Sequence, residues 1–180
     1  ADLDPAYGNA IVVPIELTNL PEQPAAWETL DVLIISDIDT GSMSTAQREA
    51  LEGWVISGGH LFVVCDNQWP KTTAGLHDLL PYSPHGFTTL YSIYSLAEFT
   101  QSSVPLQAAA PFLATTGTPE AEASILISQD DTPLLIRRLL GWGKVDLITI
   151  DPNSEPLQGW NGITDFYRVI FNPQARLPKW

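Results

Sequence analysis

Four consecutive apolar residues, Val32-Leu33-Ile34-Ile35, stand between Asp31 and Ser36-Asp37 without a polar break. A half-solvated strand alternates apolar and polar side chains, so an unbroken run predicts a strand covered on both faces, as in a parallel sheet. Leu61-Phe62-Val63-Val64 repeats the pattern. Between the two runs the period changes. Met43, Ala46, Ala50, Leu51, Trp54 and Val55 recur at helical spacing and form one apolar stripe. Ser44-Thr45-Ala46-Gln47 reads as a capping box, in which the serine hydroxyl takes the third helical amide and Gln47 reaches back. Gly58-Gly59 supplies the left-handed residue that ends such a helix. Strand, capped helix, glycine pair and strand together make a βαβ unit.

The rest of the pattern is less regular. Ile11-Val12-Val13-Pro14-Ile15 predicts a first strand, at an edge because Pro14 has no N–H to give to a ladder. Residues 24–30 predict a short helix with Pro24 at its start. Residues 72–80 predict another, stopped before Pro81. The stretch 81–118 is rich in Ser, Thr, Pro and aromatics, and reads as loops around short strands with a helix near Leu96. Residues 124–128, 133–139 and 144–150 predict three strands. Leu140-Gly141-Trp142-Gly143 joins the last two, and its glycines predict an antiparallel hairpin. Ile163, Phe166, Tyr167, Ile170 and Phe171 mark a C-terminal helix. Strands alternating with helices imply one α/β domain over residues 1–180, a three-layer sandwich with a mostly parallel sheet and an antiparallel hairpin.

Composition narrows the function. The 180 residues are 44% hydrophobic and 16% charged, enough for a real core. A net charge of −13 repels phosphate backbones, which excludes nucleic acid as a natural partner. One cysteine, Cys65, rules out an internal disulfide and a cysteine-rich zinc site. No apolar run approaches the ~20 residues of a membrane helix. The chain starts without Met and ends at Pro178-Lys179-Trp180, which reads as a piece of a longer protein whose other domains are its expected partners, beside an unidentified protein partner.

Asp39-Thr40-Gly41-Ser42-Met43-Ser44 resembles the Asp-x-Ser-x-Ser metal signature of von Willebrand A domains. That site needs hydroxyls two and four residues beyond the aspartate. Counted from Asp39 those places hold Gly41 and Met43, and counted from Asp37 they hold Asp39 and Gly41, so the motif fails in both registers. A second resemblance fits better. Residues 30–37, then Ser44-x-x-Gln47-x-x-Ala50-Leu51-x-x-Trp54-Val55-x-x-Gly58-Gly59-His60-Leu61-Phe62-Val63-Val64, then Gly141-Trp142-Gly143-Lys144-Val145 and Asp151-Pro152 resemble the class I glutamine amidotransferase-like domains of uncharacterised bacterial membrane-anchored proteins. The resemblance implies a flavodoxin-like three-layer fold and a domain outside the cytoplasm.

It also implies a test of the chemistry. Active class I amidotransferases use a cysteine on a strand-to-helix elbow with a His-x-Glu after a late strand. Cys65 follows a strand, yet Asp66-Asn67-Gln68-Trp69-Pro70 lacks the small glycines of an elbow, and Asp151-Pro152-Asn153 puts an aspartate where the histidine belongs. The domain is therefore read as a non-catalytic binding or scaffolding unit with a degenerate site. Two alternatives stand beside that reading. One is a Cys-dependent hydrolase or transferase using Cys65 with His77 or His85. The other uses Asp37, Asp39, Asp66 and Asp151, which follow strand ends and could share the rim where α/β sheets bind ligands. Hard cations such as Ca²⁺ or Mg²⁺ favour such oxygen-rich rims, with Asp37, Asp39 and Asp151 as ligands, and a sugar is the other candidate. Trp69, Tyr82, Phe87, Tyr91 and Tyr94 are read as a second small core beneath long loops, and Asp130-Asp131 as a solvated turn.

Overall fold

The computed structural model describes residues 11–101, 106 and 111–172. The βαβ unit forms as its pattern predicts. Strand β1 covers Val32–Ile35, helix α1 covers Thr45–Ile56 and strand β2 covers His60–Val64. Both halves of the capping box are made: the Gln47 amide donates to Ser44 Oγ at 3.1 Å, and the Ser44 amide donates to Gln47 Oε1 at 2.9 Å. Gly58 ends the helix at φ +128°, a conformation an L side chain rarely adopts.

Helix α2 is only Trp69–Thr72, followed in order by β3 (Tyr82–Leu90), α3 (Tyr94–Thr100), β4 (Phe112–Pro119), β5 (Ala123–Gln129), β6 (Thr132–Leu140), β7 (Gly143–Ile148), α4 (Glu155–Gln158) and α5 (Gly162–Phe171). The main sheet has the order β1-β2-β7-β6-β5, and β3 pairs with β4 in a separate two-stranded sheet. Pairs β1–β2 and β2–β7 are parallel; β7–β6 and β6–β5 are antiparallel, as is β3–β4.

This corrects the expected three-layer, mostly parallel sandwich. The cause is local. Only two residues, Asp130-Asp131, separate β5 from β6, and only Gly141-Trp142 separates β6 from β7. A two-residue connection can join only antiparallel neighbours, because a parallel pair needs a crossover of a dozen residues or more. Asp130 and Gly141 take left-handed φ values of 52° and 59° to make those turns. The 81–118 stretch is likewise no set of loops around short strands, because β3 runs for nine residues and β4 for eight.

Other expectations move as well. Ile11–Ile15 is exposed and joins neither sheet. Residues 24–30 shrink to a 3₁₀ turn at Pro24–Trp27. The helix predicted over 72–80 does not form: the single turn α2 ends at Thr72, and Gly75 lies tightly against the Thr40 carbonyl with its amide donating to Thr40 Oγ1 at 2.9 Å. Of the aromatic segment, only Tyr82 is fully buried; Phe87, Tyr91 and Tyr94 are exposed.

The sheet carries a core on each face, which explains the unbroken apolar run of β2; β1 lies at the sheet edge, where Leu33 and Ile35 are buried but Ile34 is 45% exposed, so the expected cover on both faces is not met there. Along β2, Leu61, Val63 and Cys65 enter one core with Leu51, Trp54 and Val55 of α1 and with Trp27. Phe62 and Val64 point the other way, into a core with Phe99, Phe112, Phe166 and Ile170. Period-2 alternation is intact, but both sides are dry. Each large side chain so buried stabilises the fold by about 1.5–3 kcal/mol. Among the described residues no helix is long and apolar enough to cross a membrane.

Candidate functional site

Cys65 directly follows β2, and its amide donates to the Ile148 carbonyl at 2.8 Å, locking it beside the end of β7. The side chain is 0% exposed. Burial pushes the thiol up to about 12; the hydrogen bond with Thr115 opposes this, and the charge of Asp66 adds to it. A thiol that keeps its proton at neutral pH is a poor nucleophile. Thr115 Oγ1 instead donates to the Cys65 carbonyl at 2.6 Å, closing the backbone over the residue. His77 lies exposed in the turns after α2, and His85 lies exposed on β3. Among the described residues no hydrogen bond or ion pair joins either ring to Cys65.

The four rim aspartates serve the chain locally. Asp37, at φ 50°, pairs with Lys71 Nζ at 2.6 Å. Asp39 Oδ1 accepts from the Gly41 amide at 3.0 Å, capping the short turn 40–42. Asp66 Oδ1 accepts from the Gln68 amide at 2.8 Å, and Asp151 Oδ1 from the Asn153 amide at 2.8 Å. Aspartate in such turns mimics a backbone acceptor. Three of the four still share an edge, because β1, β2 and β7 are neighbours. Partial burial raises the Asp66 carboxyl, the Gln68 amide opposes it, and the charges of Asp151 and Asp37 raise it further. Among the described residues, however, no three His, Cys, Asp or Glu side chains converge closely enough to hold a metal ion.

The strongest polar constellation lies elsewhere. At the amino-terminal end of the parallel strands, Arg137 of β6 grips Asp146 of β7 with Nε and Nη2, both at 2.6 Å. His60 Nε2 of β2 meets the same carboxylate at 2.9 Å. Asp146 is fully buried and His60 nearly so. Burial alone would raise the Asp146 carboxyl, but hydrogen bonds from Arg137 and then His60 outweigh it and hold the group below its usual range. His60 goes down: burial dominates the pull of Asp146, whose charge is already met by Arg137. The neutral ring then donates from Nε2. Burial, and then the Arg137 charge, also lowers Lys144 at the start of β7. The His60 ring packs 5.6 Å from Phe171, which stacks on Tyr167. A polar residue inside an apolar run was the sequence signal: Asp146 interrupts Val145 and Leu147, and Arg137 faces it across the hairpin.

Beside this end of the sheet a cleft of about 430 Å³ opens between the Pro24–Trp27 turn and the end of α1. Pro24, Ala25, Leu30, Trp54 and Gly58-Gly59 wall it, and Glu28, Asp31 and Ser57 supply its polar groups. Trp54 is held in place by its Nε1, which donates to the Leu30 carbonyl at 3.1 Å.

No protein of curated function matches the sequence. Several solved structures share the fold. Cytoplasmic Protein STM1381 from Salmonella typhimurium LT2 superposes with a TM-score of 0.69 at 15% identity, over 89% of this chain and 80% of that one. Cytoplasmic Protein STM3548 from Salmonella typhimurium gives 0.64 at 15% identity, over 84% and 74%. The mmIFT52 N-terminal domain gives 0.57 at 13% identity, over 87% and 84%. At such identities the likeness concerns the fold alone. The expected glutamine amidotransferase-like resemblance is overturned, since none of these proteins is such a domain by name and the sequence matches a different family. Over residues 10–154 that match is to the family described as Domain of unknown function (DUF7408), and the chain belongs to it.

Proposed function

We propose that this chain is a non-catalytic binding or scaffolding domain of a larger protein. The observation that carries the reading is Cys65: the sole thiol of the chain is fully buried and pushed up to about 12, and among the described residues no hydrogen bond joins it to a histidine. The aspartates on the neighbouring rim are each occupied with a turn amide or with Lys71, which supports the same reading. Its partners are the other domains of that protein or a separate protein. An extracytoplasmic position in a membrane-tethered protein belongs to the proposal. A buried thiol with no second cysteine is compatible with an oxidising compartment, and a compartment-sensitive reporter fused to the full-length protein reads the position directly.

Thiol labelling tests the chemistry. Native protein at pH 8 should react with a maleimide no faster than it unfolds, and in denaturant it should react at once. Rapid stoichiometric labelling of the native chain would end the non-catalytic reading and return Cys65 to consideration as a nucleophile.

A further inference from the structure

The cleft at the amino-terminal end of the sheet combines three features that no local structural role uses. First, Glu28 and Asp31 line it, both are exposed, and among the described residues neither side chain makes a hydrogen bond or ion pair. Second, exposed apolar residues stand in its wall and next to its lining residue Ser57. Leu30 is in its wall, and Ile56 at the end of α1 is 45% exposed. Trp142, at the tip of the β6–β7 hairpin, is 91% exposed, and its amide donates to the Ile56 carbonyl at 2.9 Å. Third, this lip is closely packed against the end of α1. A side-chain carbon on Gly141 would strike the Ile56 carbonyl, and one on Gly143 would strike the Val55 carbonyl, so the hairpin tip packs directly against the helix end. An exposed indole on a closely packed turn is a large apolar surface displayed to solvent.

We propose that this cleft and the Trp142 lip dock a basic, partly apolar peptide segment of a partner protein. A Lys or Arg head sits between Glu28 and Asp31, its stem runs over Leu30 and the Trp54 edge, and an apolar neighbour covers Trp142. The inference rests on the binding-domain reading and gives it a place and a partner chemistry. Charge complementarity selects the partner. The chain carries −13, so a cationic segment is steered toward it and an acidic one is repelled. The same charge opposes a second copy as the occupant. Among the described basic residues Arg48, Lys71, Arg137, Arg138 and Arg168 are committed to partners within the chain, and Lys144 is half-buried. A small cation would leave Trp142 uncovered, which makes an extended peptide the better fit.

The test uses a phage-displayed library of random twelve-residue peptides panned on the intact chain, with the best binder synthesised and titrated calorimetrically. Selected peptides should place Lys or Arg beside an apolar residue. Trp142→Ala should weaken binding roughly thirtyfold, the size of a central aromatic anchor. Glu28→Gln with Asp31→Asn should weaken it about tenfold and flatten its salt dependence. Phe87→Ala, on the distant β3–β4 ribbon, should change nothing, and all variants should keep the parent melting temperature. Acidic or neutral binders, or no binders at all, overturn the proposal. Basic binders whose affinity ignores both sets of substitutions overturn the cleft assignment while the binding-domain reading stands. Equal competition by spermine overturns the peptide as ligand. Failure of the binding-domain reading would appear separately, in the labelling of Cys65.

Discussion

Removing Arg137 tests what the buried charges are for. In Arg137→Met the two 2.6 Å hydrogen bonds to Asp146 disappear, while the carboxylate stays at 0% exposure. Methionine fills much of the vacated volume, so the loss is chiefly electrostatic. Breaking a buried pair by removing one partner costs about 3–5 kcal/mol. His60 limits the damage: it already touches Asp146 at 2.9 Å, and with Arg137 gone it becomes the nearest source of positive charge. The expected loss is therefore near the lower end, about 3 kcal/mol. At a urea slope of about 1–3 kcal/mol/M, the unfolding midpoint falls by roughly 1–3 M. The second arm is Arg137→Met with Asp146→Leu, which removes both charges. An apolar pair of similar volume is often neutral or better, so the double variant should recover most of the loss. Urea melts followed by tryptophan fluorescence at pH 7 measure all three proteins. A single variant within about 1 kcal/mol of the parent, or a double variant weaker than the single, would refute the account of Asp146 as a charge held in place by Arg137.

The same cluster sets a pH dependence. His60 has a folded pKa below its unfolded value near 6.5, so its contribution is full above that pH and declines as pH falls from there through the folded value. Asp146 adds a second loss near the acid end, because its folded value lies below the unfolded one near 3.8. Stability measured from pH 7 to pH 5 should fall in the parent and stay flatter in His60→Gln; equal slopes would exclude His60 as the source. Gly143→Ala forces a methyl into the Val55 carbonyl, so it should destabilise by about 1–3 kcal/mol in a thermal melt, and a neutral result would mean that the hairpin can shift away from α1. Ser44→Ala removes the cap of α1 and should cost about 1 kcal/mol, measured by urea midpoint; no change would mean that Gln47 and solvent suffice.

The βαβ unit was legible because its signals are local: a capping box, a helical stripe and a glycine pair lie within residues 44–59. The β6–β7 hairpin was legible for the same reason. The direction of the whole sheet was not, because apolar runs look alike whether their neighbours are parallel or antiparallel. Two-residue spacing at Asp130-Asp131 was the available clue, and its meaning as a hairpin outweighs the βαβ precedent set earlier in the chain. Ile11–Ile15 shows that β propensity alone does not secure a place in a sheet. Asp37, Asp66 and Asp151 follow strands that are neighbours in the sheet, but the Lys71 pair of Asp37 and the turn-capping hydrogen bonds of Asp66 and Asp151 depend on geometry that spacing only hints at. Asp146 inside its apolar run marked the Arg137 pair of the hairpin, but the His60 contact spans 86 positions, and nothing in a single chain marks so distant a pair.

That separation also orders the chain's assembly. Arg137 and Asp146 are nine positions apart on one hairpin, so they can meet as soon as β6 and β7 turn back on each other. His60 must await the parallel docking of β2 on β7, which closes a far longer loop. On that order the carboxylate would be accompanied by a guanidinium before β2 seals it from water. A late-closing seam between β2 and the meander β5–β7 is where amide protection should develop last during refolding.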